Sequence, residues 1–249
     1  MKKIQRIPAL LLAMLMLFSL TLTSCGSKED IASPDQVAVA LFNMILKNDA
    51  STAVELFGYA DEAAARKDMG LEDSIYDELA EQLVAEMDGG STEDARAVVD
   101  AFMNMFKDVN LTAKVKESDE KAGTAVVTCT INTFESGAMD NILQQIMTDI
   151  MSDETLLSAD EATLYSTIIN KMAEGLSALT PTENTADFDV NFELVKADIN
   201  GKEKSVWLPV DVEEFGALIS NTALGYWSPY LPNLLLSHRP TGPSAGGAV

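Results

Sequence analysis

The stretch Asp187-Phe188-Asp189-Val190-Asn191-Phe192-Glu193-Leu194, followed by Asn200-Gly201-Lys202 and then Ser205-Val206-Trp207-Leu208-Pro209-Val210, decides the fold. In its first part apolar residues recur at every second position, the period of a strand with one buried face. Asn-Gly between two extended runs is the strongest short-range hairpin signal, because both central positions of a type I′ turn need a positive φ. Asp187, Asp189, Asn191 and Glu193 fall together on the opposite face. A divalent-cation ladder is the competing reading of those four, but a calcium site needs a loop that converges its oxygens, so the spacing predicts a solvated strand face.

Working outward from this hairpin, Leu111, Ala113 and Val115 also alternate with polar residues, and Asp119 to Gly123 supplies a turn into Thr124 to Glu135, rich in Val, Thr and Ile. This predicts a second hairpin of the same antiparallel sheet. Val127, Cys129, Ile131, Phe188, Val190 and Phe192 would face the helices. Between the hairpins the period is helical at Ile142, Leu143, Ile146, Met147 and Ile150. It is helical again at Leu164, Tyr165, Ile168, Ile169 and Met172, after a capping-box sequence at Ser158-Ala159-Asp160-Glu161. A helical insert over about 137–179 follows, closed by Thr180-Pro181.

Upstream, Ser33-Pro34-Asp35-Gln36 reads as a helix start, with Ser33 as N-cap, Pro34 in the first turn and Gln36 completing a capping box. Val37, Ala40, Leu41, Met44 and Ile45 form its apolar stripe, and Asn48-Asp49 ends it. Further helices are expected at Ser51 to Phe57, Ser74 to Met87 and Thr92 to Phe106, the last two separated by Gly89-Gly90-Ser91. A final helix begins at Asp211, with Glu214 in its box and Phe215, Leu218 and Ile219 inward, and Gly225 ends it. The Pro229, Pro232, Pro240 and Pro243 segment with its Gly/Ala end predicts a disordered tail over 228–249. The expected class is α+β, a curved antiparallel sheet of about four strands packed on helices, within one domain over 33–227.

The front of the chain has a different character. Lys2, Lys3 and Arg6 precede an apolar run from Ala9 to Leu22, the pattern of a secretory signal peptide over residues 1–24. A membrane-spanning helix needs about 20 apolar residues, and Thr21, Thr23 and Ser24 end this run early. Leu22-Thr23-Ser24-Cys25 resembles the lipobox of bacterial lipoprotein precursors. That resemblance implies cleavage between Ser24 and Cys25, lipidation of the Cys25 thiol, a short tether over 25–32 and an address on the outer face of the cell membrane. Two or more acyl chains make such an anchor durable, at about 0.8 kcal/mol per buried CH2.

With 1–24 removed, 14 basic residues face 39 acidic ones, a net charge of -25. Such a surface repels nucleic acid and anionic lipid headgroups, so attachment falls to the lipid on Cys25 and nucleic acid is excluded as a partner. With Cys25 lipidated, Cys129 has no disulfide partner and reads as a buried apolar residue rather than a reactive thiol.

The helix–hairpin–helices–hairpin–helix order resembles the exported lipoproteins of Gram-positive bacteria with domains of the nuclear transport factor 2-like superfamily. The matching residues are Ser33-Pro34-Asp35 with Val37, Leu41 and Phe42, then Asn48-Asp49, and Asn200-Gly201-Lys202 leading to Val206-Trp207-Leu208. The resemblance implies a cone-like sheet wrapped around helices, enclosing an apolar pocket. The insert over 137–179 departs from the short form of that fold, and would lid or fill the pocket.

Candidate chemistry is sparse. The only histidine, His238, lies in the tail, so no Ser-His-Asp or Cys-His arrangement stands on a rigid element. Ser118-Asp119-Glu120-Lys121 matches S-x-x-K by letters alone, in a strand turn and without its companion motifs. Asn110-Leu111-Thr112 matches a glycosylation sequon that a bacterial lipoprotein would not use. Met139, Met147, Met151 and Met172 read as core, with an adaptable binding surface as the alternative. No cofactor or metal site is expected. The expected function is a non-catalytic module binding an apolar ligand, a peptide or another envelope protein; the alternative is a cone-pocket enzyme using buried carboxylates.

Replacing Cys25→Ala should abolish fatty-acid labelling and either release the protein from the membrane fraction or leave the precursor unprocessed. Equal labelling of both chains would show that Cys25 is not the acceptor.

Overall fold

The computed structural model describes residues 31–69, 71, 74–87, 91–199 and 201–225. The signal segment, Ser24, Cys25, Asn200, His238 and the 228–249 tail lie outside the described residues. Within them run α1 (Pro34–Leu46), α2 (Ser51–Phe57), α3 (Glu62–Asp68), α4 (Ser74–Met87), α5 (Thr92–Met105), β1 (Leu111–Asp119) and β2 (Thr124–Asn132). The insert follows as α6 (Ala138–Ser152), α7 (Glu154–Leu157) and α8 (Glu161–Ser177). The chain then closes with β3 (Thr185–Ile199), β4 (Lys202–Pro209) and α9 (Val212–Leu224). The four strands form one antiparallel sheet in the order β1-β2-β3-β4, and helices pack against it, giving the expected α+β class.

Helix α1 starts as its sequence predicts, with the Ser33 N–H donating to Gln36 Oε1 at 3.1 Å and Pro34 in the first turn. It stops where Asn48 takes a left-handed φ of 55°, which Asn tolerates better than most residues. Its buried surface is wider than one stripe: Val37, Ala38, Ala40, Leu41, Phe42 and Met44 are all at 1% exposure or less, while Ile45 is only half-buried. A helix this apolar around its girth must be covered on several sides. It lies against β1, β2 and β4, with α2 alongside.

The inner sheet face is the one expected. Ala125, Val127 and Cys129 of β2 stand opposite Phe192, Val190 and Phe188 of β3, and Ile131 opposite Leu111 of β1, all buried. On β1 the register shifts between Val115 and Glu117, a bulge that twists this edge strand and discourages pairing with another chain. Strand β3 runs further than its alternation suggested. Buried positions are even from Phe188 to Phe192 and odd at Ala197 and Ile199, while the pairing with β4 continues without a break. The far end of this hairpin is therefore covered on its other face, where Lys204 Nζ donates to the Phe57 carbonyl at 2.6 Å and Val206 and Ile199 line a small hollow with Leu56 and Phe57.

The insert lies mainly beside the inner face and adds Ala138, Met139 and Leu176 to its core. That face is packed by α1 and α9, with Phe42, Phe106, Phe192 and Phe215 at 1% exposure or less, whereas α8 lies chiefly along α5. Its start also differs from the expected one. Asp160, not Ser158, is the N-cap, accepting from the Thr163 N–H at 2.8 Å, while the Ser158 hydroxyl donates back to the Glu154 carbonyl at the end of α7. A carboxylate at the N-terminus of a helix gains from the helix dipole as well as the bond, and so outcompetes the hydroxyl two residues earlier.

Phe192 is 1% exposed at the centre of the inner face. Phe192→Ala should cost about 3–5 kcal/mol of stability, and Phe192→Asp should unfold the domain, as read by chemical denaturation. An Asp variant as stable as the parent would show that the face is assigned wrongly.

Candidate functional site

The residues singled out for chemistry are mostly absorbed by the fold. Asp187 accepts from the Thr130 hydroxyl at 2.7 Å, and Asp189 from Thr128 Oγ1 and Lys116 Nζ, each at 2.6 Å. These carboxylates tie three strands together on the solvated face. Lys116, then Thr128, hold the Asp189 carboxyl below its ordinary pKa. No cluster of His, Cys, Asp or Glu suited to a metal occurs among the described residues. Asp119 accepts from the N–H groups of Lys121 and Ala122, so the S-x-x-K letters form a turn. Asn110 donates its N–H to Asn132 Oδ1 at the base of β1. Cys129 is fully buried, and burial pushes its thiol up to about 12.

The four methionines divide. Met139 is core and Met172 half-buried, whereas Met147 and Met151 are 55% and 69% exposed on α6. Leu157 on α7 is open as well, so the insert presents apolar side chains to water over a short length of chain.

A groove of about 550 Å³ lies between α6 and α8. Ala138, Ile142, Ile146 and Leu179 give it an apolar floor, Ala178 stands exposed at its edge, and Glu135, Asp149, Lys171 and Glu174 form its charged rim. Lys171 donates to Asp149 at 2.6 Å, and Gln145 Nε2 donates to the other oxygen of that carboxylate at 2.6 Å. These bonds, Lys171 first, hold the Asp149 carboxyl below its ordinary range and close one end of the groove. The floor exists because Gly175 lets the helices touch: a Cβ there would lie 2.6 Å from Ile142 Cγ2. A glycine inside a helix costs about 1 kcal/mol relative to Ala, so Gly175 was the sequence signal for a close approach.

The insert is pinned to the body through Asp94 on α5, whose two oxygens accept from Ser166 at 2.7 Å and Asn170 at 3.1 Å of α8. Arg96 braces α5 against α4 through the Tyr76 ring and Asp77. The groove thus sits on a rigid helical layer beside the sheet.

Between α2 and α3 the Tyr59 hydroxyl donates to Asp68 at 2.7 Å, and burial, reinforced by that bond, raises its pKa above the ordinary value. Both Tyr59 and Cys129 are neutral in the fold and ionise more easily when unfolded, at about 10 and 8.5. Each therefore adds stability that is whole below its unfolded pKa and is lost as pH rises through the folded one. In a Cys25→Ala chain, thiol reagent should not label Cys129 at pH 8 without denaturant, stability should fall from about pH 9 upward, and one tyrosine should stay protonated until alkaline unfolding. Free labelling of the folded chain would contradict the burial of β2.

No protein-family model matches the chain, and no curated protein matches it. Among solved structures, YcdA of Bacillus subtilis, described as a candidate lipoprotein, is similar with a TM-score of 0.50 at 14% identity. The likeness covers 77% of this chain and 56% of that one, so this chain spans little more than half of its length. At this identity the similarity shows shared fold and nothing of activity.

Proposed function

We propose that the protein is an extracytoplasmic lipoprotein, held to the cell membrane by lipid on Cys25, whose domain is a non-catalytic binding module of the nuclear transport factor 2-like kind. Three things support the tether: the signal pattern over residues 1–24, the lipobox order Leu22-Thr23-Ser24-Cys25, and a structural neighbour described as a candidate lipoprotein. Among the described residues no helix is long and apolar enough to cross a membrane.

The observation that carries the binding role is the groove between α6 and α8, apolar below and charged at the rim. That combination takes a short peptide or amphipathic ligand: apolar floor supplies affinity and a few polar groups fix orientation. An enzyme of this fold would need a carboxylate whose pKa is raised by burial. Among the described residues every Asp and Glu whose burial is known is at least partly exposed, and each of their resolved shifts is downward.

The test is thermal unfolding of the mature chain with peptides, lipids and cell-wall fragments. A ligand at a hundredfold its Kd adds about 2.7 kcal/mol, a rise of about 5–10 °C in Tm for a domain of this size, and Ala178→Arg in the groove should remove it. Turnover lost on replacing a single Asp or Glu would establish the enzyme reading instead.

A further inference from the structure

Sequence and structure together name an occupant for this groove. The chain leaves α9 at Gly225, and the Phe134 N–H donates to the Ala223 carbonyl at 2.7 Å. The next residue after Phe134 is Glu135, which lines the groove together with Ala138. The exit of the C-terminal segment and the mouth of the groove are thus neighbours. Four residues of extended chain from Ala223, about 13 Å, suffice to enter it.

What leaves at that point is unlike the rest of the protein. Seven of the eleven residues from 226 to 236 are Tyr, Trp or Leu. In a chain with 39 acidic residues, none occurs after Glu214, while His238 and Arg239 are basic. An apolar segment of this density in water is a contact surface in search of cover. Pro229 and Pro232 pre-set an extended conformation and lack N–H groups, so such a segment settles in a groove lined by side chains without leaving those donors unpaired.

We propose that residues Trp227–Pro232 of the same chain seat in the α6–α8 groove, so that the C-terminal segment is the groove's resident, competitive occupant. The proposal rests on reading the groove as a binding surface and names its partner. Length agrees: from Ala138 to Asp149 along α6 is about 16 Å, and the five steps from Trp227 to Pro232 in polyproline conformation would cover about the same. Charge agrees: Glu135, Asp149 and Glu174 against Lys171 leave the rim acidic, facing a stretch of chain without acids. Tethering agrees as well, since a linker of a few residues gives an effective concentration in the millimolar range and favours the chain's own segment over a free peptide.

The experiment uses the full mature chain with a photo-crosslinker, Tyr230→p-benzoylphenylalanine. The expected result is an intrachain crosslink to 138–149 or 171–180, its yield unchanged on dilution and reduced about tenfold by Ala178→Arg, which puts a long side chain in the path of the segment. Separately, the full-chain triple variant Trp227→Ala, Tyr230→Ala, Leu231→Ala should bind an added Tyr226–Pro232 peptide about tenfold or more tightly than the parent, because the resident no longer competes. Crosslinks to other surfaces, or crosslinks between chains that vanish on dilution, would overturn the assignment. So would equal affinity of parent and variant for the peptide. A groove that binds other ligands equally in both chains would leave the binding role standing and remove only the resident segment. A groove that binds nothing in either chain would remove both.

Discussion

Asn132, the last residue of β2, is paired directly with Thr185, the first of β3, although the whole insert lies between them. Everything from 133 to 184 must therefore leave the sheet and return to the same point. The neck is tied by backbone: Thr133 N–H to the Asn184 carbonyl at 2.9 Å, and Thr182 N–H back to the Thr133 carbonyl at 2.8 Å. Asn132 Nδ2 adds a bond to the Thr182 carbonyl at 3.0 Å. Once closed, a long excursion is cheap, since each doubling of loop length adds only about 0.6 kcal/mol of closure entropy. The sheet can then carry a helical layer without rebuilding its core, and the layer can offer a groove without opening that core to water.

This constraint explains which features were legible in the sequence. The inner sheet face follows from period-two alternation, because a slip by one residue would turn Phe188, Val190 and Phe192 to solvent. The helix starts at Ser33, Ser91 and Asp211 are local chemistry, and local chemistry is readable. Helix α3 is not, since Ala63, Ala64 and Ala65 give no apolar period and its order comes from Asp61 at its start and from Arg66 reaching the Asn48 carbonyl. The second half of β3 is not either. Its buried parity changes because α2 and the turn after it cover the opposite face there, a fact of tertiary arrangement with no period to announce it. The groove left one trace, Gly175, whose meaning needs its neighbour Ile142, more than thirty positions away in the sequence.

A fold without a disulfide among its described residues relies on apolar burial and hydrogen bonds, and the distribution of charge shows how that is kept compatible with so many acids. The carboxylates are placed where solvent or a hydroxyl meets them: at helix starts, as with Asp61, Asp153, Asp160 and Asp211, or along the outer sheet face beside threonines. At helix starts the dipole welcomes them. On the sheet, Thr128 and Thr130 supply donors that a row of carboxylates lacks, and Lys116 balances one of them. The acidity is thereby made part of the secondary structure.

The same acidity shapes what the molecule can meet at a membrane. On the proposed anchor, a chain fixed through Cys25 and folded from Ser33 onward would have at most about 26 Å of backbone between lipid and domain. Anionic headgroups would repel so acidic a domain over a Debye length of about 8 Å at physiological salt, so such a tether would hold it near the surface without letting it lie down. Cationic or neutral amphipathic segments are favoured at that distance, and neighbouring copies, equally acidic, are not. A groove with an apolar floor would be a liability on such an exposed protein if it stood open to every passing amphipath. Occupation by a tethered segment of matching chemistry, as proposed above, would turn that liability into selectivity, since a ligand would have to outcompete a resident held at millimolar effective concentration before it bound at all.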